Sequence, residues 1–171
     1  MNELLPVTRF IHTLETVEKE IRHLQYSWHR VFSEEINANW VKNLENTPET
    51  AERMEAFISR FGRTQDTISD KLLPRWLMAL AEKTGSQIEI LNRAERLGIL
   101  QNTENWLQAR YLRNRLVHEY MTDPAAFAKD LLLAKTYSPM FSYTYNQVRQ
   151  FAIDRMQIDP GELPDKAKGF Y

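Results

Sequence analysis

The chain has 171 residues, enough for one domain with its own core, and its 43% hydrophobic and 26% charged side chains exclude a disordered polymer. Its 22 basic and 23 acidic side chains nearly cancel, which excludes long-range attraction of the whole molecule to nucleic acid or an anionic membrane; any such surface must be a local patch. With no cysteine there is no disulfide, no thiolate nucleophile and no cysteine-ligated metal, and five glycines and seven prolines leave few helix breakers.

The opening MNELLPVTRF lacks the basic and apolar sections of a secretion signal, and no apolar run nears the ~20 residues that span a bilayer. A cytoplasmic protein without a membrane partner is therefore expected. From Arg9 to Ser33, Phe10, Leu14, Val17, Ile21, Leu24, Trp28 and Val31 recur every three or four positions, the period of one helix face. Asn37 to Asn46 suggests a short extra turn around Trp40, Val41 and Leu44. Thr47-Pro48-Glu49 combines a capping residue with a proline suited to a first helical position, and Ala51, Met54, Ile58, Phe61, Gln65, Ile68 and Leu72 then predict a second long helix to about Leu73.

Pro74 cannot donate a backbone hydrogen bond, so Arg75 to Lys83 is either a kinked continuation or a new short helix that Gly85 ends. Ser86 caps the next helix, with Gly98 just outside its C-terminal end. Thr103-Glu104-Asn105 opens a helix running to about Met121. Asp123-Pro124 opens the last, carrying Phe127, Leu131, Phe141, Val148 and Phe151 and bent near Pro139. Several amphipathic helices joined by short loops predict an all-α, antiparallel up-and-down bundle over residues 1-156; residues 157-171, with Pro160, Gly161, Pro164 and Gly169, read as a flexible tail.

One run carries chemistry. Leu112-Arg113-Asn114-Arg115-Leu116-Val117-His118-Glu119-Tyr120 holds a guanidinium, an amide, an imidazole and a phenol within about two turns. RNA cleavage through its own 2′-hydroxyl needs a base for that proton and a cation for the phosphate oxygens as charge builds. The imidazole of His118 can serve as base or acid, while Arg113 offers a planar fork matched to phosphate. Neither a metal nor another cofactor is called for. Five positions set Arg113 and His118 roughly 140° apart around the helix, so one copy does not readily aim both at one atom. Asn114 and His118, four apart, share a face on which the amide can orient the imidazole. Two copies of the helix packed about a two-fold axis would complete the site, so a homodimer is expected. Arg110 and Arg115 are candidate holders of RNA backbone phosphates, with Arg115 pointing away from the cleft.

The blander alternative makes Arg113 a solvated ion-pair partner, His118 a hydrogen-bonded residue near a helix end and Tyr120 core packing. His12, His23 and His29 lack the pattern of a metal site and read as surface or packing residues. Trp28, Trp40, Trp76 and Trp106 read as core or interface, with Trp106 the one candidate for stacking on a base. Tyr137, Tyr143 and Tyr145 form a cluster that packs the bundle or meets a partner.

The string RNRLVHEY resembles the Arg-x4-His-x-Tyr signature of HepT toxins of the HEPN superfamily. RFGRTQDTISDKLLP and EILNRAERLGILQNTENWLQARYLRNRLVHEY are similar to the mid-bundle and pre-motif regions of such proteins, so the resemblance covers roughly residues 48 to 150. It implies a HEPN-like, homodimeric, metal-independent ribonuclease with Arg113 and His118 at its site and Asn114 assisting. It also implies a partner, an MNT-type nucleotidyltransferase antitoxin that transfers AMP to Tyr120. An adenylate there would set a bulky anion beside Arg113. Two alternatives stand beside the nuclease: a non-catalytic, substrate-binding companion subunit of a nucleotidyltransferase, and a purely structural helical adaptor.

Overall fold

A computed structural model describes residues 5–118 and 122–171, and the described residues are helical with no strand. In chain order the α-helices are α1 (Pro6–Val31), α2 (Ala38–Lys42), α3 (Pro48–Thr67), α4 (Leu73–Ala79), α5 (Gln87–Arg96), α6 (Thr103–His118), α7 (Pro124–Tyr137) and α8 (Pro139–Asp154). None of these helices is long and apolar enough to cross a membrane.

The long helices follow the expected periodicity. Phe10, Leu14, Val17, Ile21, Leu24 and Val31 form the buried stripe of α1, and Met54, Phe57, Ile58 and Phe61 that of α3. Side-chain bonds give their relative direction: Arg60 reaches Ser27, Thr67 reaches Glu20, and Arg75 reaches Thr13. Rising numbers on one helix meet falling numbers on the other, so α1 and the α3–α4 rod are antiparallel. An aromatic series runs through the core from Phe32 to Phe57, Phe61, Phe141 and Trp106, with successive ring centres 5.1 to 6.0 Å apart.

Pro74 does not end the run of helical residues; it falls in the first turn of α4. A π-helical turn, Ile68–Leu72, joins α3 to α4, and the wider turn accommodates the missing proline N–H. The rod then stops before Gly85: Glu82 N–H donates to the Leu77 carbonyl, and Ala81 takes the left-handed conformation, φ 58°, that closes this C-terminus. Gly98 does the same for α5 at φ 78°, as its position predicts.

Three local expectations change. Thr47 does not cap α3 with its side chain; its hydroxyl donates to the Asn43 carbonyl at 3.0 Å. Asn102, rather than Thr103, accepts from an opening N–H of α6, that of Asn105, while Thr103 donates to Glu95. The helix expected to bend near Pro139 is divided there into α7 and α8, with Pro139 as the first residue of α8.

The segment expected to run free as a tail is instead a strap against α1 and α8. Ile158 and Leu163 are buried, and Tyr145 donates to the Asp165 carbonyl at 2.7 Å. Arg149 donates to the Pro164 carbonyl, Asn146 makes two bonds with Ala167, and Phe170 stacks edge-on against Trp28. The prolines that suggested disorder suit an extended strap whose carbonyls are taken up by α8 side chains. Burial pushes the Tyr145 phenol well above the ordinary tyrosine range, so it stays a donor.

Candidate functional site

The motif helix α6 packs between α3 on one flank and α7 on the other. Its buried stripe is Trp106, Ala109, Leu112 and Leu116, which leaves Arg110, Tyr111, Asn114, Val117 and His118 exposed along the opposite side. Val117 is 61% exposed although it is β-branched and apolar. Trp106 is buried against Phe141, so it belongs to the core and offers no face to a base.

Arg113 leaves α6 sideways and crosses α3. Its Nη1 lies 2.9 Å from Oδ1 and 2.8 Å from Oδ2 of Asp66, so a single nitrogen meets the carboxylate. The two side chains are 37% and 41% exposed, an ion pair at a rim rather than in a core. Nε and Nη2 make no hydrogen bond among the described residues.

The crossing depends on Gly62. A Cβ at that position would sit 2.5 Å from Arg113 Nε and 3.2 Å from its Cδ and Cγ, so any side chain would push the guanidinium away. Glycine inside a helix costs about 1 kcal/mol relative to alanine, and close approach of another chain segment is a physical reason to keep it. Burial raises the Asp66 carboxyl above its ordinary value; the Arg113 charge opposes the shift, Asp70 adds to it and Arg110 opposes it.

Beside the ion pair lies a cavity of about 350 Å³ between α3 and α6, lined by Met54, Ile58 and Gly62 on one side and Leu116, Val117 and Arg113 on the other. Glu55 and Ser59 of α3 also line it, so its floor is apolar and its edge carries a carboxylate as well as the guanidinium. Such a groove suits a flat or apolar body whose anionic group meets Arg113, or the matching face of another helix.

His118 is exposed at the end of α6, and Asn114 is exposed one turn earlier. No hydrogen bond joins them among the described residues, so the orienting contact expected of Asn114 is not formed in the single chain. Arg113 is drawn toward α3, whereas His118 is the last described residue of α6 and is exposed. Tyr120 lies outside the described residues.

Arg115 requires a correction. Rather than standing ready for an RNA phosphate, it forms a two-pronged bond with Asp130 of α7, Nε to Oδ2 at 3.0 Å and Nη2 to Oδ1 at 3.1 Å. This fork joins α6 to α7. Arg110 remains exposed on the motif side, close enough to Asp66 to influence it. His12, His23 and His29 are exposed along α1, and no group of three or more His, Asp or Glu side chains suited to a metal ion occurs among the described residues.

Sequence reasoning missed Gly62 and Asp66 as parts of this site. A glycine midway through a strongly periodic helix, followed four residues later by an aspartate, was the available signal. Comparison of the chain with family models, curated proteins and solved structures gives no match.

Proposed function

We propose that the chain is a HepT-like toxin of the HEPN superfamily, a metal-independent RNA endonuclease that works as a two-fold homodimer. The observation that carries this reading is the Arg113 guanidinium, held by one nitrogen at the rim of an open groove with its other donors uncommitted. In the proposed dimer the exposed faces of two α6 helices meet. Arg113 of one copy then holds the non-bridging oxygens of a phosphate while a His118 takes the proton of the adjacent 2′-hydroxyl. Asp66 positions Arg113 without occupying its whole fork. Val117, exposed in the single chain, supplies apolar area to the two-fold contact, and Arg110 steers the strand toward it. Silencing by an MNT-type nucleotidyltransferase would proceed through AMP transfer to Tyr120.

The test is incubation of the pure protein with end-labelled RNA in the presence of a chelator. Fragments formed by the wild type and abolished in both Arg113→Ala and His118→Ala are expected. Intact RNA with a demonstrably dimeric protein would sink the nuclease. The second reading, a non-catalytic companion subunit of a nucleotidyltransferase, draws on the same ion pair: a carboxylate already sits on the one guanidinium the chemistry needs. That reading predicts a stable complex with the transferase and no cleavage.

A further inference from the structure

The same helix α3 borders a second cleft on its other flank, against α1. This cavity, also about 350 Å³, is lined by Arg30 and Tyr26 of α1 and by Arg53, Arg60, Glu49 and Glu52 of α3. Ala56, between Arg53 and Arg60, is small enough to leave the space open.

Two of the three guanidiniums are held by neutral partners, and none is neutralised by an ion pair among the described residues. Arg60 donates from Nη1 to the Ser27 hydroxyl at 2.8 Å and to the His23 carbonyl at 3.1 Å, both uncharged acceptors. Arg30 donates to the Tyr26 hydroxyl at 2.5 Å, and its guanidinium carbon lies 5.3 Å from the centre of that ring. None of the three takes part in an ion pair among the described residues. This is notable for Arg53, because Glu49 stands four positions before it, the spacing at which a helix surface closes such pairs. Three cations, two of them held in place, and two carboxylates leave the cleft with one net positive charge. That balance matches a singly charged phosphodiester better than a polyphosphate. Tyr26, 57% exposed, adds an aromatic surface at the mouth.

We propose that this α1–α3 cleft is a second binding site for single-stranded RNA, taking one backbone phosphate among Arg30, Arg53 and Arg60 and a base against Tyr26. The inference rests on the reading of RNA as the substrate and adds where the strand runs beyond the scissile phosphate. Arg60 and Asp66 are six residues apart on α3, about 9 Å along its axis. Between the two flanks the exposed Ser59 and Arg63 form a ridge that a strand can cross, with Arg63 available to it. A chain leaving the Arg113 groove therefore reaches the second cleft within a few nucleotides.

The experiment measures fluorescence anisotropy of a labelled single-stranded RNA of about a dozen nucleotides. All proteins carry His118→Ala so that the probe stays intact. Adding Arg30→Gln with Arg53→Gln should weaken binding about tenfold or more and flatten the salt dependence by roughly 1.4 in log–log slope, two contacts at about 0.7 each. Adding Glu49→Gln with Glu52→Gln instead should tighten binding several-fold, an outcome that a misfolded variant does not mimic. Unchanged affinity and slope in both variants overturns the proposal. So does calorimetric binding of inorganic phosphate that the arginine variant abolishes while its RNA affinity stays at the parent value, since that marks a site for a small anion. If the binding pattern holds but the protein with His118 intact cuts no RNA, the nuclease reading fails and the cleft stands. If RNA is cut in an Arg113- and His118-dependent way while the arginine variant binds like its parent, the cleft fails and the nuclease stands.

Discussion

Two arginines, two residues apart on α6, meet two aspartates on opposite flanks and do different work. Arg115 grips Asp130 with two nitrogens on two oxygens, and the aspartate is only 10% exposed. Arg113 gives one nitrogen to Asp66, and both partners stand more than a third in solvent. A forked bond to a nearly buried carboxylate fixes helices together, because loss of the cation strands a charge out of water. A one-nitrogen bond at a groove rim contributes little to folding and leaves donors free, the condition a phosphate-gripping residue needs. The motif helix is thus anchored on its α7 flank and open on its α3 flank.

The largest expected effect separates the two flanks by activity. Arg113→Ala should lower RNA cleavage by about 10²- to 10³-fold, the typical loss when a preorganised donor to a developing charge is removed. Its unfolding free energy should change by less than about 1 kcal/mol. Single-turnover cleavage together with urea unfolding checks both halves, and a destabilised but active Arg113→Ala protein would invert the assignment. Arg115→Ala should show the opposite pattern, losing about 2–3 kcal/mol because Asp130 is left buried and unpaired; its 40% exposure keeps the loss below that of a fully buried pair. Activity should follow only the remaining folded fraction. Arg115→Ala combined with Asp130→Leu should recover much of the stability, since both charges are then gone.

Gly62→Ala sharpens the contrast, because one substitution should push stability and activity in different directions. Alanine improves helix propensity by up to about 1 kcal/mol, less whatever is spent in shifting Arg113. The displaced guanidinium leaves its register with Asp66, and cleavage should fall about tenfold or more, as misplacement of a positioned group commonly causes. Equal thermal melts with undiminished cleavage would show that the crossing over Gly62 does not matter.

The helical periods of α1, α3 and α6 were legible because each buries one stripe, and local chemistry marked the glycine end of α5 and the Asp123 cap of α7. What the sequence concealed is non-local. Arg113 and Asp66 are 47 residues apart, and nothing in the motif itself names its partner. Arg115 looks as available as Arg113 until Asp130 of α7 is beside it. The strap was unreadable for another reason: Ile158, Leu163 and Phe170 follow no helical or strand period, and their docking depends on polar side chains of α8 meeting backbone carbonyls. The π-helical turn at Ile68–Leu72 also leaves no pattern of its own, because Pro74 is compatible with a break, a kink or the turn observed.

The smallest effect concerns pH and tests the environment of the open flank. Burial raises the carboxyls of both Asp66 and Glu20; Glu20 accepts from Thr67 through Oε1, while its buried Oε2 has no partner among the described residues. A raised acid binds its proton more tightly in the folded chain than in the unfolded one. The folded state is therefore favoured at low pH, and this contribution is lost as pH rises from the ordinary values of 3.8 and 4.5 through the raised ones. Asp66→Asn and Glu20→Gln mimic the protonated forms. Each should match the wild type below those ordinary values and exceed it near neutrality, for the half-exposed Asp66 by only a few tenths of a kcal/mol after solvent screening. Urea unfolding across this pH range measures the difference. If Asp66→Asn is instead less stable than the wild type at neutral pH, the Arg113 charge outweighs burial there, and the α3 flank is held more like the α7 flank than the geometry indicates.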